Sequence, residues 1–175
     1  MSKCQAGDKE AFRALVGKYR SVVFGTAYLM TRDRESAEDA VQNSLIQMWN
    51  HISSLRLQSS LKAWLIRIVV NEVNQQRRKK RLPTIPVEET PEAAGDPDET
   101  ERIAVNRERY QNLRQALELL PATQREMVVL RYFPELTVPE IASVTGIREG
   151  TVKSRLSRAL DYLSEVLRKQ EETGK

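Results

Sequence analysis

The stretch TVPEIASVTGIREGTVKSRLSRAL (137–160) contains most of the local signals that determine the fold of this chain. Its first four residues have the order of a capping box, in which Thr137 accepts from a backbone N–H and Glu140 reaches back. Gly146 suits the left-handed position that ends a helix. A short helix, a glycine turn and a longer basic helix from about Glu149 to Lys169 predict a helix-turn-helix.

The outer face of that longer helix is basic. At 100° per residue, Ser154 and Arg158 fall opposite the apolar face, with Lys153 and Arg155 on the flanks and Thr151 at the helix start. Such side chains suit contacts with the major groove and with phosphates, although a basic helix alone also fits a solvated surface. The face expected to pack inward comprises Val152, Leu156, Ala159, Leu160, Leu163 and Leu167.

Outward from this motif, an acidic segment divides the chain. Residues 82–100 read LPTIPVEETPEAAGDPDET, with four prolines and few apolar side chains, which predicts a linker. We expect a first unit over residues 1–81 and a second unit over 101–175. The 175-residue chain has a net charge of only +4, yet residues 51–81 carry 8 basic side chains against 1 acidic, whereas residues 82–108 carry 2 against 8. This uneven distribution of charge is typical of a polyanion-binding region that lies beside a segment with a different function.

The first unit is predicted to be a small helical bundle, because its apolar residues recur at helical spacing and nowhere alternate as in a strand. Asp8 is the expected N-cap of its first long helix, and a second helix is expected from about Ser36 to Ile52. That second helix has apolar and polar residues mixed on its outward face, a composition typical of a protein interface. The alternative is that another helix of the same unit covers Trp49. The outward residues are Asp39, Gln42, Asn43, Ile46 and Trp49.

A third helix, from about Ser60 to Lys80, ends in NEVNQQRRKKR (71–81). Amides followed by cations suit hydrogen bonds to base edges together with phosphate neutralisation. The alternative is a solvated tail whose cations complement the helix dipole. The preceding segment, 54–60, is a candidate loop for receiving an unstacked base.

Several classes of protein are excluded by composition. Cys4 is the only cysteine and His51 the only histidine, so an internal disulfide is impossible and a zinc site is not expected. There is no nucleophile motif, phosphate loop or paired-carboxylate motif. No signal peptide or membrane span is expected. The sequence thus predicts a cytoplasmic, soluble, non-enzymatic protein without metal, cofactor or small-molecule substrate, in which Cys4 is an incidental thiol and His51 a surface residue.

Over nearly its whole length the chain resembles the extracytoplasmic-function (group IV) sigma factors of bacterial RNA polymerase. The resemblance is carried by GDKEAFRALVGKY (7–19), AEDAVQNSLIQMW (37–49), KAWLIRIVVNEVNQQRRKKR (62–81) and LPATQREMVVLRYFPELTVPEIASVTGIREGTVKSRLSRALDYLSEVL (120–167). It implies an all-α fold in which sigma region 2 (1–81) and region 4 (101–175) are joined by the acidic, proline-rich linker.

The resemblance also implies roles for residues. The outward face of the second helix is similar to the surface that docks on the β′ clamp helices of core polymerase, and region 4 would contact the β flap. The 54–60 loop matches one that captures a flipped −10 base. The residues assigned to the −10 promoter element are Arg56, Lys62, Arg67, Asn71, Gln75, Arg77 and Arg78. Those assigned to the −35 element are Thr151, Lys153, Ser154, Arg155 and Arg158. An anti-sigma protein is a further expected partner.

We therefore predict a sigma factor that gives RNA polymerase its promoter specificity. A conventional helix-turn-helix repressor or activator, with the first unit as a dimerisation domain, is the alternative among DNA-binding proteins. A protein-only adaptor whose basic surfaces meet acidic partners is an alternative from another class.

Overall fold

A computed structural model describes residues 2–55, 60–80 and 115–173. All regular structure within these ranges is helical. The helices are α1 (Ser2–Gln5), α2 (Lys9–Thr31), α3 (Arg34–His51), a 3₁₀ turn (Ile52–Ser54), α4 (Leu61–Lys80), a helical segment at 115–119, α5 (Ala122–Tyr132), α6 (Val138–Thr145) and α7 (Glu149–Thr173). The predicted all-α class is confirmed.

The first unit is built from α1 to α4. Helix α2 begins where Asp8 accepts hydrogen bonds from the backbone N–H groups of Glu10 and Ala11, which confirms the predicted N-cap. Helix α3 begins two residues earlier than predicted, because Asp33 accepts from the N–H of Ser36 at 2.7 Å and caps the helix. Helices α2, α3 and α4 pack against one another around an apolar core. Its fully buried members include Ala27, Met30, Ala37, Met48, Ile66, Val69 and Val73.

The second unit holds the helix-turn-helix. Helix α6 has the predicted capping box: the Thr137 hydroxyl accepts from the N–H of Glu140, and the Glu140 carboxylate accepts from the N–H of Thr137 at 2.8 Å. Gly146 ends the helix at φ 73°, the left-handed conformation that glycine adopts without steric cost. Helix α7 then packs on α5 and α6. The predicted order of a capped short helix, a glycine turn and a longer helix from Glu149 is confirmed, although the longer helix continues to Thr173 rather than ending near Lys169.

One burial prediction is wrong. Leu160 is 41% exposed, because the buried stripe of α7 runs through Val152, Leu156, Ala159 and Leu163, and Leu160 lies about 80° around the helix from Val152. Cys4, expected to be an incidental thiol, is a buried side chain, because α1 folds back onto α2 and the 3₁₀ turn.

The two units are packed together by contacts between α2 and α5 and between α4 and α6. Their buried residues form one continuous apolar cluster, which extends from Val23 in α2 to Leu163 in α7. The predicted linker, 82–100, lies outside the described residues.

One charged side chain lies inside this packing. Arg125 of α5 is only 5% exposed, and within the described part of the chain neither its Nε nor its Nη1 has a hydrogen-bond acceptor. Desolvation, with the nearby charges of Arg32 and Arg77, lowers the pKa of Arg125 well below its ordinary value, to about 10, while Glu118 opposes the shift. The folded state therefore holds a guanidinium whose charge is poorly compensated.

We expect Arg125→Met to raise the free energy of unfolding by about 1–3 kcal/mol, because a long apolar side chain fills the site without a buried charge. Urea denaturation followed by circular dichroism measures the change. Arg13→Met, at an exposed position of α2, is the matched control and should change stability by less than about 0.5 kcal/mol. A less stable Arg125→Met variant would show that the guanidinium is compensated.

Candidate nucleic-acid interface and docking face

The outer face of α7 presents the basic residues assigned to the −35 element. Lys153 and Arg158 are exposed, whereas Thr151, Ser154 and Arg155 are half-buried. The Ser154 hydroxyl donates to the Thr151 carbonyl at 3.1 Å, so this hydroxyl is engaged within the helix. Lys153 and Arg158 are therefore the freest of the five to meet a DNA duplex.

The orientation of α7 depends on the capped helix before it. The N–H of Thr137 lowers the pKa of the Glu140 carboxyl most, burial opposes this, and the hydroxyls of Thr137 and Ser60 and the charge of Lys62 lower it further. Because Ser60 and Lys62 belong to the first unit, the capping box also links the two units. Glu140 must be ionised both to cap α6 and to attract Ser60 and Lys62 of the first unit.

Part of the proposed −10 surface is an open groove along α4. Asn71, Gln75, Arg78 and Lys79 line this groove, whose volume is about 540 Å³. Asn71, Gln75 and Arg78 were assigned to DNA from the sequence, and the fold places them together on one exposed face. The groove combines amide groups able to read base edges with cations able to meet phosphates.

The remaining −10 candidates are placed differently. Arg67 donates to the carbonyl and the hydroxyl of Ser143 in α6, and Lys62 is half-buried near Glu140. Arg77 donates to the carbonyl of Met30, so its guanidinium is turned toward α2 rather than toward the groove. Arg56 lies outside the described residues.

The loop that was predicted to receive a base is described only at its two ends. At the first end, Ser54 donates through its hydroxyl to the His51 carbonyl at 2.7 Å. Gln5 of α1 donates through Nε2 to the carbonyl of Leu55 at 2.8 Å, which ties the amino-terminal helix to this end. At the other end, Ser60 accepts from the N–H of Ala63 at 3.3 Å.

The outward face of α3 is the candidate docking face. Asp39, Gln42 and Asn43 are exposed, and Ile46 is 61% exposed, an unusual position for a large aliphatic side chain. Trp49 is half-buried, and its ring meets that of Phe12 edge-on, with centroids 5.0 Å apart and planes at 70°. The alternative that another helix of the same unit covers Trp49 is thus partly correct, and Ile46 is the more accessible apolar group.

Sequence reasoning missed the residues of the second unit that meet the first. Ser143 receives Arg67, and Glu126 accepts from the Asn74 side chain at 3.2 Å. A serine in a short helix and a glutamate beside an arginine are ordinary surface residues by pattern. No local signal identifies these partners, because the pairs are separated by 76 and 52 positions in the chain.

Within residues 2–55, 60–80 and 115–173, no group of three or more His, Cys, Asp or Glu side chains is arranged to hold a metal ion. No helix there has the length and apolar character needed to cross a membrane.

Comparison with protein families gives two matches. Residues 15–82 match the model of sigma-70 region 2, and residues 110–163 match that of sigma-70 region 4. Together they cover more than half of the chain, and they contain α3, α4, α6 and α7 as far as residue 163.

Individual relatives are similar in sequence to this chain over almost its full length. The chain is 35% identical to the ECF RNA polymerase sigma factor SigM of Mycobacterium tuberculosis, over 93% of this chain and 80% of that protein. It is 30% identical to the RNA polymerase sigma-H factor of Pseudomonas aeruginosa, over 95% and 91%. It is 29% identical to the ECF sigma factor SigW of Bacillus subtilis, over 96% and 95%.

Solved structures show the same fold. The sigma factor RpoE of Bartonella quintana, in complex with the anti-sigma factor NepR, is 27% identical with a TM-score of 0.73, over 91% of this chain and 98% of that one. CnrH in complex with the cytosolic domain of CnrY is 22% identical with a TM-score of 0.69, over 95% and 93%.

The capping box gives a prediction about pH. Because the folded-state pKa of Glu140 is lowered, its contribution to stability is complete above the ordinary value of 4.5 and is lost as the pH falls through the folded pKa. We expect Glu140→Gln to be less stable than the wild type at pH 7 and to lose less stability on acidification. Thermal melts between about pH 3 and pH 7 measure this, with the exposed Asp161→Asn as control. Parallel pH profiles for wild type and Glu140→Gln would contradict it.

Proposed function

The chain belongs to the sigma-70 family, in its extracytoplasmic-function group, and on this premise we propose how its surfaces direct promoter-specific transcription initiation. As a member of that family it is an RNA polymerase sigma factor. The observation that carries the assignment of surfaces is that one chain combines a capped helix-turn-helix bearing exposed Lys153 and Arg158 with a separate exposed face around Ile46.

We propose that α7 enters the major groove of the −35 element. In helix-turn-helix proteins the second helix places its amino-terminal residues against base edges, while cations on its flanks contact phosphates. Lys153 lies in the first turns of α7, and Arg158, also exposed, lies about one and a half turns further along. Arginine binds guanine through two parallel hydrogen bonds, so Arg158 is our choice for sequence discrimination.

The groove of α4 is proposed to hold the −10 strand once the duplex has opened. Asn71 and Gln75 can hydrogen-bond base edges, and Arg78 and Lys79 can neutralise the backbone. Single-strand binding of this type combines a cationic groove with captured bases, which is the role assigned to the 54–60 loop. Catalysis is left to the polymerase, and we propose no enzymatic activity for the chain itself.

Two protein partners follow from this function. The exposed face of α3 is proposed to dock on the β′ clamp helices, with Ile46 as its apolar centre, while the second unit contacts the β flap. Because RpoE of Bartonella quintana is bound by an anti-sigma factor, we also propose that an anti-sigma protein binds this chain. We propose that the protein acts in the cytoplasm, together with the polymerase.

Run-off transcription on a library of genomic fragments tests the function. Core polymerase with this chain should produce discrete transcripts, and neither component should do so alone. Tight binding of the chain to palindromic duplex without core, and no transcripts with core, would instead favour the repressor.

The substitution Ile46→Ala tests whether the exposed face of α3 binds core polymerase. We expect core-polymerase affinity to fall about 5- to 30-fold, the range for a central apolar contact, with no loss of folding because the side chain is exposed. Fluorescence titration of core measures this, and Arg20→Ala, exposed on α2, is the control. Unchanged affinity for Ile46→Ala would mean that the docking face is assigned wrongly. Trp49→Ala is less suitable, because it also removes the contact with Phe12.

For the −35 element, Arg158→Ala should lower transcription from −35-dependent promoters about tenfold or more, since a lost base contact is worth about 1–3 kcal/mol. Arg168→Ala, on the same helix nearly three turns further along, should have little effect. If Arg158→Ala and Arg168→Ala lowered transcription equally, the assignment of Arg158 to base recognition would be contradicted.

A further inference from the structure

We propose that the chain binds a small monatomic anion, of the size of chloride, in a cavity beside the buried guanidinium of Arg125. Arg32 at the end of α2 and Arg77 in α4 supply further positive charge to this site. The site is independent of the proposed function in transcription, because it depends only on how the helices pack.

The cavity lies where the end of α2 meets α5 and the segment at 115–119. Its volume is about 10 Å³, close to the smallest space that holds one water-sized species. Phosphate, sulfate and organic anions have several heavy atoms each and are therefore too large for it. The side chains that line the cavity are Tyr28, Leu29, Arg32, Leu117, Glu118 and Arg125.

Arg125 supplies the hydrogen-bond donors of the site. Its side chain is only 5% exposed, and within the described ranges neither Nε nor Nη1 has an acceptor. A guanidinium group carries N–H donors alone and accepts no hydrogen bond. An anion can accept from such donors directly, whereas a water molecule must also find acceptors for its own hydrogens. The buried end of Arg125 therefore suits an anion better than water.

The charges around Arg125 are mostly positive. Desolvation is the largest cause of its lowered pKa, the charges of Arg32 and Arg77 lower it further, and Glu118 acts in the opposite direction. Because Glu118 is an exposed side chain, solvent screens its carboxylate. Among the groups that act on one another here, three guanidinium groups thus face one carboxylate, and an anion would offset part of the excess.

Both neighbouring cations are held in place by backbone carbonyls. Arg32 ends α2 in the left-handed conformation, at φ 65°, and donates through Nη1 to the carbonyl of Glu118 at 3.0 Å. Arg77 donates to the carbonyl of Met30. Since these contacts already order the two side chains, less conformational entropy is lost when an anion binds near Arg125.

Anion binding at this site should make the stability of the chain depend on chloride. A ligand that binds only the folded state raises the ratio of folded to unfolded molecules, by about tenfold when its concentration is ten times the dissociation constant. Urea denaturation of the full chain measures this ratio at constant ionic strength, while sodium chloride replaces sodium gluconate in steps. Gluconate is too large for the cavity, and guanidinium chloride is unsuitable as denaturant because it supplies the ligand.

Substitutions test whether the chloride effect comes from this cavity. Arg125→Met should lose it, because methionine has no donor for an anion, so the stability gain expected for this variant should be largest in gluconate and shrink as chloride is added. Arg13→Met removes a cation from an exposed position of α2 and should keep the wild-type dependence. Arg32→Met, also at an exposed position, should weaken chloride binding several-fold and provides the test if Arg125→Met does not fold.

A ³⁵Cl NMR measurement observes the anion itself. Chloride that exchanges with a protein site gives a broader line than free chloride, so the wild type should broaden the line more than Arg125→Met does at the same protein concentration. Added sodium bromide should remove the excess width by competition, whereas the same concentration of sodium gluconate should leave it unchanged.

The outcomes distinguish an anion from water and this cavity from other sites. Equal stability of the wild type in chloride and in gluconate, with no excess line width, would overturn the anion site and leave water as the partner of Arg125. Chloride effects of the same size in the wild type, Arg125→Met and Arg32→Met would also overturn it, because chloride would then act elsewhere on the chain. A chloride effect that Arg13→Met keeps and Arg125→Met loses is the expected result.

Discussion

Burial of the apolar stripe of α4 is the constraint on which the rest of the structure depends. Ile66, Val69, Val70 and Val73 follow one another at helical spacing and are all essentially inaccessible to solvent. Burying them against α2 and α3 fixes the rotation of α4 about its axis, and that rotation determines which polar side chains face outward. The groove of Asn71, Gln75 and Arg78 and the attachment of Arg67 to the second unit follow from this orientation.

Much of this architecture could be predicted from the sequence because its signals are local. The caps at Asp8 and Thr137 and the left-handed Gly146 depend on residues three or four positions apart, and the structure has all three. The mixed composition of the α3 face also predicts a candidate surface. It does not predict the packing of Trp49 on Phe12, because that contact depends on how two helices cross.

The contacts between the units cannot be predicted from such local patterns. Arg125 carries a charge that normally keeps a side chain in solvent, yet it lies beside α2 and the 115–119 segment and is only 5% exposed. Gly25 gives no sequence signal that distinguishes it from Gly17, although only one of them faces an aromatic ring. In both cases the environment is set by an element far away in the chain, and only the assembled fold reveals it.

The hydrogen bond from Gln5 to the Leu55 carbonyl has a practical consequence for handling the protein. The amino-terminal turn anchors the entrance of the loop expected to capture a base, and Cys4 beside Gln5 is buried beneath it. Affinity tags or fluorophores attached to α1 should therefore disturb the edge of the segment proposed to capture a base, some fifty positions away. The carboxyl-terminal end of α7 is the better place for such additions, because the last described side chains there, Arg168 and Lys169, are exposed.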